Sequence, residues 1–325
     1  MSCAGLWSRP ISGETKLVSL SDRVLITGGS GFTGRPLVER LRRDGHEVVA
    51  LAHDTSEADT LNVDLRDFDG LTQALLRTHP SAIVHLAGIA EPAYGNVGEI
   101  YSANVVGTAN LFASLTAAKI EPRIVVVASS AHVYQIADGR PLTEDDPIRP
   151  KTHYGVSKRA TEDIVAIYSG RFPIIITRPF NYTGPGQTTN FLVPRIVSHY
   201  VEHRSEIRLG NLDLFRDYSD ISRVVEAYAR LLSGSVGPTT TNICSGRAIH
   251  LVDILKFMNE LSGYPIRVVT DPSLVRSGEP QSIVGSPARL ESLVGPLPNP
   301  EFRETLTRMY NEFCDQQTVV NTPVR

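Results

Sequence analysis

Val24-Leu25-Ile26-Thr27-Gly28-Gly29-Ser30-Gly31-Phe32-Thr33-Gly34 decides the fold of this chain. An apolar run ends in a glycine cluster, and a helical pattern through Leu37, Val38 and Leu41 starts at once. This is the layout of a dinucleotide-binding strand, turn and helix. Glycines allow positive φ in a tight turn and let backbone N–H groups approach a pyrophosphate. The helix N-terminus adds partial positive charge there. The cluster fits two registers: Gly29, Gly31 and Gly34 give GxGxxG, while Gly28, Gly31 and Gly34 give GxxGxxG.

Outward from the turn, short apolar runs alternate with helical patterns. Strands are expected at 23–28, 47–52, 82–86, 124–128 and 174–177, with helices at 67–78, 101–118 and 152–168. Gly45 is a natural stop for the first helix. The run Ile124-Val125-Val126-Val127-Ala128 is apolar throughout, as befits the middle of a parallel sheet. The alternation implies an α/β fold, a Rossmann-type doubly wound parallel sheet, whose ligands sit beyond the carboxyl ends of the strands. The pattern weakens after Arg178. Residues 181–190 are rich in Gly, Pro, Thr and Asn and are expected as loop. Shorter elements follow at 191–203, 206–209, 219–232, 240–244, 250–262 and 266–269, with a last helix near 300–314. The expected division is an N-terminal extension at 1–20, a dinucleotide-binding domain at 21–180 and a smaller C-terminal α/β substrate domain at 181–325. Parts of the last, near 211–246, are expected to return to the first sheet.

Bulk numbers exclude several classes. The 325 residues carry 41% hydrophobic and 21% charged side chains, and the net charge of -3 leaves no footprint for nucleic acid. No apolar run approaches the roughly 20 residues of a membrane span. Residues 1–20 lack the pattern of a signal peptide, and Cys3, Cys244 and Cys314 are too scattered for a disulfide framework, so a cytoplasmic setting is expected. His199 and His203 share a helix spacing without an evident third ligand, and no metal is expected.

Two further constellations carry chemistry. Tyr154-Gly155-Val156-Ser157-Lys158 puts a tyrosine and a lysine on one helix face. A free phenol, with a pKa of about 10, is a poor proton-transfer group at neutral pH, and a nearby ammonium favours its phenolate. Ser129 and Ser130 sit just past the central strand, where a hydroxyl can bond a carbonyl that the tyrosine protonates. An acid near the end of the second strand would hold an adenosine ribose. Asp54 has nearly the right spacing, but the strand pattern points to Ala52, so NAD and NADP both stay open. Asp64, after a third short strand, could accept a bond from the adenine amine.

The order glycine turn, serine at a strand end, then Tyr-x-x-x-Lys resembles the extended short-chain dehydrogenases/reductases acting on nucleotide sugars. The resemblance runs from about Arg23 to Tyr310. Thr27–Gly34 is similar to that family's cofactor motif, Asp64-Leu65 to its adenine pair, and His85-Leu86-Ala87-Gly88 to its fourth-strand motif. It implies Ser130, Tyr154, Lys158 and Asn104 as catalytic residues, with Asn104 supporting the lysine and a water chain. Ser130 is preferred to Ser129 because it lies four positions before Tyr134. The implied cofactor is NAD or NADP, held by Gly28, Ser30, Gly31, Phe32, Thr33, Gly34, His53, Asp64, Leu65, Leu86, Ala87, Gly88, Tyr154, Lys158 and Phe180. The implied substrate is a nucleotide sugar, GDP-linked by the likeness of the second half to GDP-4-keto-6-deoxymannose reductases. Its implied contacts are Ala90, His132, Asn181, Asn190, Val193, Arg216, Arg276 and Glu279. Ala131 and His132 stand where dehydratases of the family carry an acid pair, which argues against dehydration and for keto reduction. An epimerase with bound NAD, or a silent dinucleotide-binding protein, are the alternatives. A homodimer is expected by analogy alone.

Overall fold

The computed structural model describes residues 22–320 apart from 54, 56–58, 92–93, 137–138, 235 and 276–277, and apart from the side chains of 319–320. The N-terminal extension, Asp54 and Arg276 therefore lie outside the described residues.

Strand β1 (Arg23–Thr27) runs into the glycine turn, and helix α1 (Gly34–Arg43) starts at its last glycine. Gly28 has φ +72°, and a Cβ there would lie 2.8 Å from the Ala87 nitrogen. A Cβ on Gly34 would lie 2.1 Å from the Gly28 carbonyl oxygen, so only glycine permits this approach of helix to turn. α1 buries Leu37, Val38 and Leu41, the apolar stripe of its 3.6-residue period, and Gly45 follows at φ +90°. Next come β2 (Glu47–Ala52), β3 (Thr60–Asn62), α2 (Phe68–Thr78) and β4 (Ala82–His85). The expected helix at 101–118 begins earlier and is not uniform. It consists of α3 (Val97–Tyr101), a π-helical stretch at Ser102–Val106 and α4 (Gly107–Ala118). Then follow β5 (Ile124–Ala128), α5 (His153–Ile167) and β6 (Ile174–Pro179).

Beyond β6 the chain forms β7 (Asn181–Thr183), α6 (Leu192–Val201), β8 (Glu206–Leu209), β9 (Phe215–Asp220), α7 (Ile221–Ser233) and β10 (Thr239–Ile243). It ends with β11 (Ala248–His250), α8 (Leu251–Ser262), β12 (Arg267–Thr270), β13 (Ser282–Ile283), α9 (Ala288–Val294) and α10 (Phe302–Val320). The expected loop at 181–190 thus opens with a strand, because Asn181–Thr183 pair with Tyr218–Asp220 of β9. β9, β11 and β13 form a small sheet that periodicity did not reveal: their two-to-six-residue runs are too short and too polar to alternate visibly.

The main sheet is parallel throughout, in the order β10-β6-β5-β4-β1-β2-β3. The order reverses between β1 and β4, and such a switch point opens a crevice at the strands' carboxyl ends. Thr27, His85 and Leu51 are register partners there. One core face joins α1 and α7 through Leu37, Leu41, Val224 and Tyr228, while the other joins α2 and α4 through Leu71, Leu75, Leu111 and Phe112. A separate core packs α6, α8 and α10 through Val197, Tyr200, Met258 and Met309.

Arg223 of α7 is among the largest fully buried side chains. It donates to the carbonyls of Cys244, Leu297 and Pro298 at 2.8–3.1 Å and to Glu291 at 2.8 Å. It thereby ties the end of β10 and the segment after α9 to α7. Arg223→Met leaves those buried carbonyls without a donor and is expected to cost about 3 kcal/mol in urea unfolding. The half-exposed Arg230→Met, which loses comparable bonds at the surface, is expected to cost less than about 1 kcal/mol.

Candidate active site

Helix α5 starts cleanly because the Thr152 hydroxyl accepts the Gly155 N–H at 3.0 Å. One face of α5 is buried through Tyr154, Lys158 and Glu162, residues at i, i+4 and i+8. That face meets the carboxyl end of β5 in a regular way. Lys158 Nζ donates to the Ala128 carbonyl at 2.8 Å and Ser129 Oγ donates to Glu162 Oε1 at 2.6 Å, while the Ser130 hydroxyl lies near enough to the Tyr154 phenol to favour its phenolate. Three successive residues at and just past the strand end thus meet three turns of one helix. Ser130 also caps the short turn Ala131–Val133, accepting the His132 N–H at 3.2 Å.

Burial controls the electrostatics of this face. It pushes the Tyr154 phenol up to about 12, against a downward pull from the Ser130 hydroxyl. It pulls the Lys158 ammonium down to about 8, against an upward pull from Glu162. The expected lowering of Tyr154 by Lys158 is thus not what the geometry gives: the ammonium is turned to the Ala128 carbonyl, and desolvation of the phenol dominates.

Behind this face lies a chain of buried hydroxyls. The Thr108 hydroxyl donates to the Asn104 carbonyl at 2.6 Å, so His85 Nε2, 3.0 Å from Thr108 Oγ1, must carry the ring proton. His85 Nδ1 is then the acceptor from the Thr27 hydroxyl at 2.7 Å, and that oxygen accepts the Ala87 N–H at 3.2 Å. Burial holds the His85 pKa down at about 3, so the ring is neutral. The Asn104 carbonyl is available to the Thr108 and Thr161 hydroxyls where the helix widens to the π form. The Asn104 side chain clamps Ile89, donating to its carbonyl at 3.1 Å and accepting its N–H at 2.7 Å, and donates to Ser157 Oγ at 2.9 Å. Gly88 has φ +148°, and a Cβ there would lie 2.5 Å from Asn104 Oδ1 and 3.6 Å from Lys158 Nζ. Asn104 and Lys158 therefore converge on the Gly88 backbone without a direct bond to each other.

The glycine turn fits a dinucleotide. A Cβ on Gly31 would meet only the Gly28 carbonyl oxygen, at 3.1 Å, so the turn is open on that side. The first turn of α1 has no acidic residue, and Thr33 offers no side-chain cap, which leaves backbone donors for an anion. Instead the Thr33 hydroxyl bonds the Tyr182 hydroxyl at 2.9 Å, and Phe32 stacks on the Tyr182 ring at 5.8 Å. Ser30 is half-buried beside them. At the far side His53 Nε2 lies 3.6 Å from Asp64 Oδ2, and Arg66 chelates the same carboxylate at 2.9 Å through Nε. Leu65 is buried in the sheet's core, Leu86 packs against the opposite core face, and Ala87 and Gly88 line the β4 end. The Phe180 side chain is 4% exposed and packs with Tyr134 and Cys244.

The substrate candidates are spread more widely. The His132 ring stands edge-on to Tyr154 at 5.4 Å. Ala90 is exposed beyond Ile89, and Asn190 Nδ2 reaches to 3.5 Å from Glu91 Oε2. Asn181 is half-buried in β7. Arg216 and Glu279 come together, Nη2 to Oε1 at 2.8 Å, while Arg216 Nη1 donates to the Phe215 and Gln281 carbonyls. Val193 is 2% exposed and packs in the core of α6, α8 and α10. Reading the sequence missed Glu162, Thr27, Thr108, Ser157 and Tyr182. Glu162 was findable, since it repeats the Tyr154–Lys158 spacing. Tyr182 was not, since nothing local reports its approach to Phe32.

The chain is similar to several known proteins. The model of the NAD dependent epimerase/dehydratase family matches residues 24–244. The chain is 32% identical over 273 residues to GDP-6-deoxy-D-talose 4-dehydrogenase of Aggregatibacter actinomycetemcomitans, covering 84% of this chain and 91% of that one. It is 27% identical over 305 residues to GDP-6-deoxy-D-mannose reductase of Pseudomonas aeruginosa, covering 90% and 98%. Among solved structures, a candidate epimerase from Burkholderia cenocepacia J2315 superposes with a TM-score of 0.84 at 38% identity, covering 91% and 99%.

The neutral His85 makes stability depend on acidity with a defined sign. Its folded pKa is about 3, against an ordinary 6.5, so below pH 6.5 the unfolded chain binds the extra proton and gains ground. Between pH 7 and pH 5 this contribution is expected to remove about 2 kcal/mol from the unfolding free energy. Urea titrations at the two pH values check it, and His85→Gln is expected to lose that part of the pH dependence.

Proposed function

The chain belongs to the NAD dependent epimerase/dehydratase family, and from that premise we propose that it reduces the 4-keto group of a GDP-linked 6-deoxyhexose with NADH or NADPH. The observation that carries this reading is the gathering of Ser130, Tyr154 and Lys158 at the end of β5, beside Ala131 and His132 rather than an acid pair. The two curated relatives act, by their names, on GDP-linked 6-deoxyhexoses, one as a 4-dehydrogenase and the other as a reductase. A 4-dehydrogenase run backwards is a 4-keto reductase.

A bound NADH or NADPH would supply the hydride, held by the glycine turn from Gly28 to Gly34 and by the Gly88 end of β4. The protein's own part is proton transfer. Tyr154 keeps its proton at neutral pH and is the donor to the carbonyl oxygen as that oxygen gains negative charge. Ser130 orients the same oxygen. Lys158 remains charged below about pH 8, one helical turn from Tyr154. In this reading Lys158 also holds the nicotinamide ribose. Arg216, whose guanidinium is already fixed by two carbonyls and Glu279, is the candidate for a substrate phosphate. Asn104 acts indirectly, by fixing the Gly88–Ile89 backbone.

An epimerase would use the same groups, and the structural neighbour described as a candidate epimerase favours keeping it as the rival. The two separate in one assay. With GDP-4-keto-6-deoxymannose, the reductase consumes added NADH or NADPH, read at 340 nm, whereas an epimerase carries retained NAD and consumes neither. Tyr154→Phe is expected to lower turnover by roughly 10²–10⁴-fold while dinucleotide binding persists. Full turnover in that variant would remove Tyr154 from the chemistry.

A further inference from the structure

Glu162 lies one helical turn beyond Lys158, on the face that grips the end of β5. Its side chain is only 7% exposed, and its carboxylate is fully engaged. Arg178 of β6 chelates it through Nε at 2.8 Å and Nη2 at 2.7 Å, and Ser129 donates to Oε1 at 2.6 Å. Arg178 is itself pinned. Its Nη1 donates to the Tyr134 hydroxyl at 3.1 Å and to the Glu144 carbonyl at 3.2 Å, and Tyr134 donates to Asn242 Oδ1 at 2.6 Å. The carboxylate is thus fixed from β5, β6 and β10 at once.

We propose that Glu162 is a positioning residue for the chemistry of Ser130, Tyr154 and Lys158. It completes the stripe in which one helix face holds Ala128, Ser129 and Ser130, and it keeps the Lys158 ammonium charged at the site. Two observations converge on this. The first is geometric: the Ser129 bond to Glu162 fixes the peptide that carries Ser130, between the residues gripped by Lys158 and Tyr154. The second is electrostatic. Around Lys158 the facing groups are Tyr154 and Glu162 on its own helix, neutral His85 on β4, uncharged Asn104 on the π-helical stretch, and Arg178 on β6 behind the carboxylate. Glu162 is the group among them that favours the charged ammonium against burial.

The inference rests on the reading of Lys158 as a dinucleotide contact, and its test uses binding rather than turnover. The affinity for NADH and NADPH is measured by dinucleotide fluorescence from pH 6.5 to 9.5 in the full-length protein and in Glu162→Gln. Wild-type affinity is expected to fall as pH rises through about 8, where Lys158 loses its proton. In Glu162→Gln the midpoint is expected about one pH unit lower, the effect of removing one nearby opposite charge. Glu162→Asp, which keeps the charge, is expected to restore the midpoint. Because Glu162→Gln strands the buried Arg178, the double variant Glu162→Gln/Arg178→Met is measured beside it and is expected to show the same shift. An unchanged midpoint in the folded variants would overturn the proposal. A wild type that binds dinucleotide but reduces no keto sugar would instead overturn the proposed reaction and leave this one standing.

Discussion

The structure depends on the docking of one helix face against one strand end. Tyr154, Lys158 and Glu162 repeat at the helical period, and the chain at and just past the end of β5 meets them, Ala128 at Lys158, Ser129 at Glu162 and Ser130 at Tyr154. A helix advances about 6 Å in four residues. Three such contacts therefore fix both the height and the rotation of α5 on the sheet. A phenol, an ammonium and a hydroxyl are brought together by this docking, and none could be shifted alone. Burying the groups is costly, and the structure offsets that cost locally: a carbonyl for Lys158, a guanidinium for Glu162, a hydroxyl for Tyr154.

The glycine turn supplies the facing half. Its glycines allow β1, α1 and the β4 end to meet at distances that a Cβ would forbid. The Thr27–His85–Thr108–Asn104 chain then links the carboxyl ends of β1 and β4 to the helix that carries Asn104. Through Ile89, Asn104 shapes the Gly88 backbone, and Gly88 lies beside Lys158. The crevice at the sheet's switch point is thus bounded by groups whose positions are coupled through hydrogen bonds rather than by loops alone.

Much of this was legible in the sequence, for physical reasons. The buried parallel strands are long apolar runs, and α1 shows a plain 3-4 spacing, so the order of the main sheet's elements up to β6 follows from pattern. Ser130, Tyr154 and Lys158 were legible as a hydroxyl just past an apolar strand and a Tyr-x-x-x-Lys spacing on one helix face. The second half was harder. β9, β11 and β13 are short, and β9 carries Arg216, Asp217 and Asp220, so no apolar pattern marks them. The π-helical stretch at Ser102–Val106 leaves no trace in composition. Phe180 and Val193 were expected as contacts from resemblance, and the packing of both side chains depends on partners distant in sequence. The phenol's high pKa was also hidden, since spacing reports a neighbouring cation and says nothing of desolvation.

The most direct test of the account is a crystal structure of the protein with oxidised dinucleotide and the GDP-linked 6-deoxyhexose product. The account predicts the oxygen at position 4 of the sugar within hydrogen-bonding distance of both Tyr154 Oη and Ser130 Oγ, with the pyrophosphate on the turn from Gly28 to Gly34. A sugar bound with that oxygen facing neither group, while the dinucleotide occupies the turn, would contradict it.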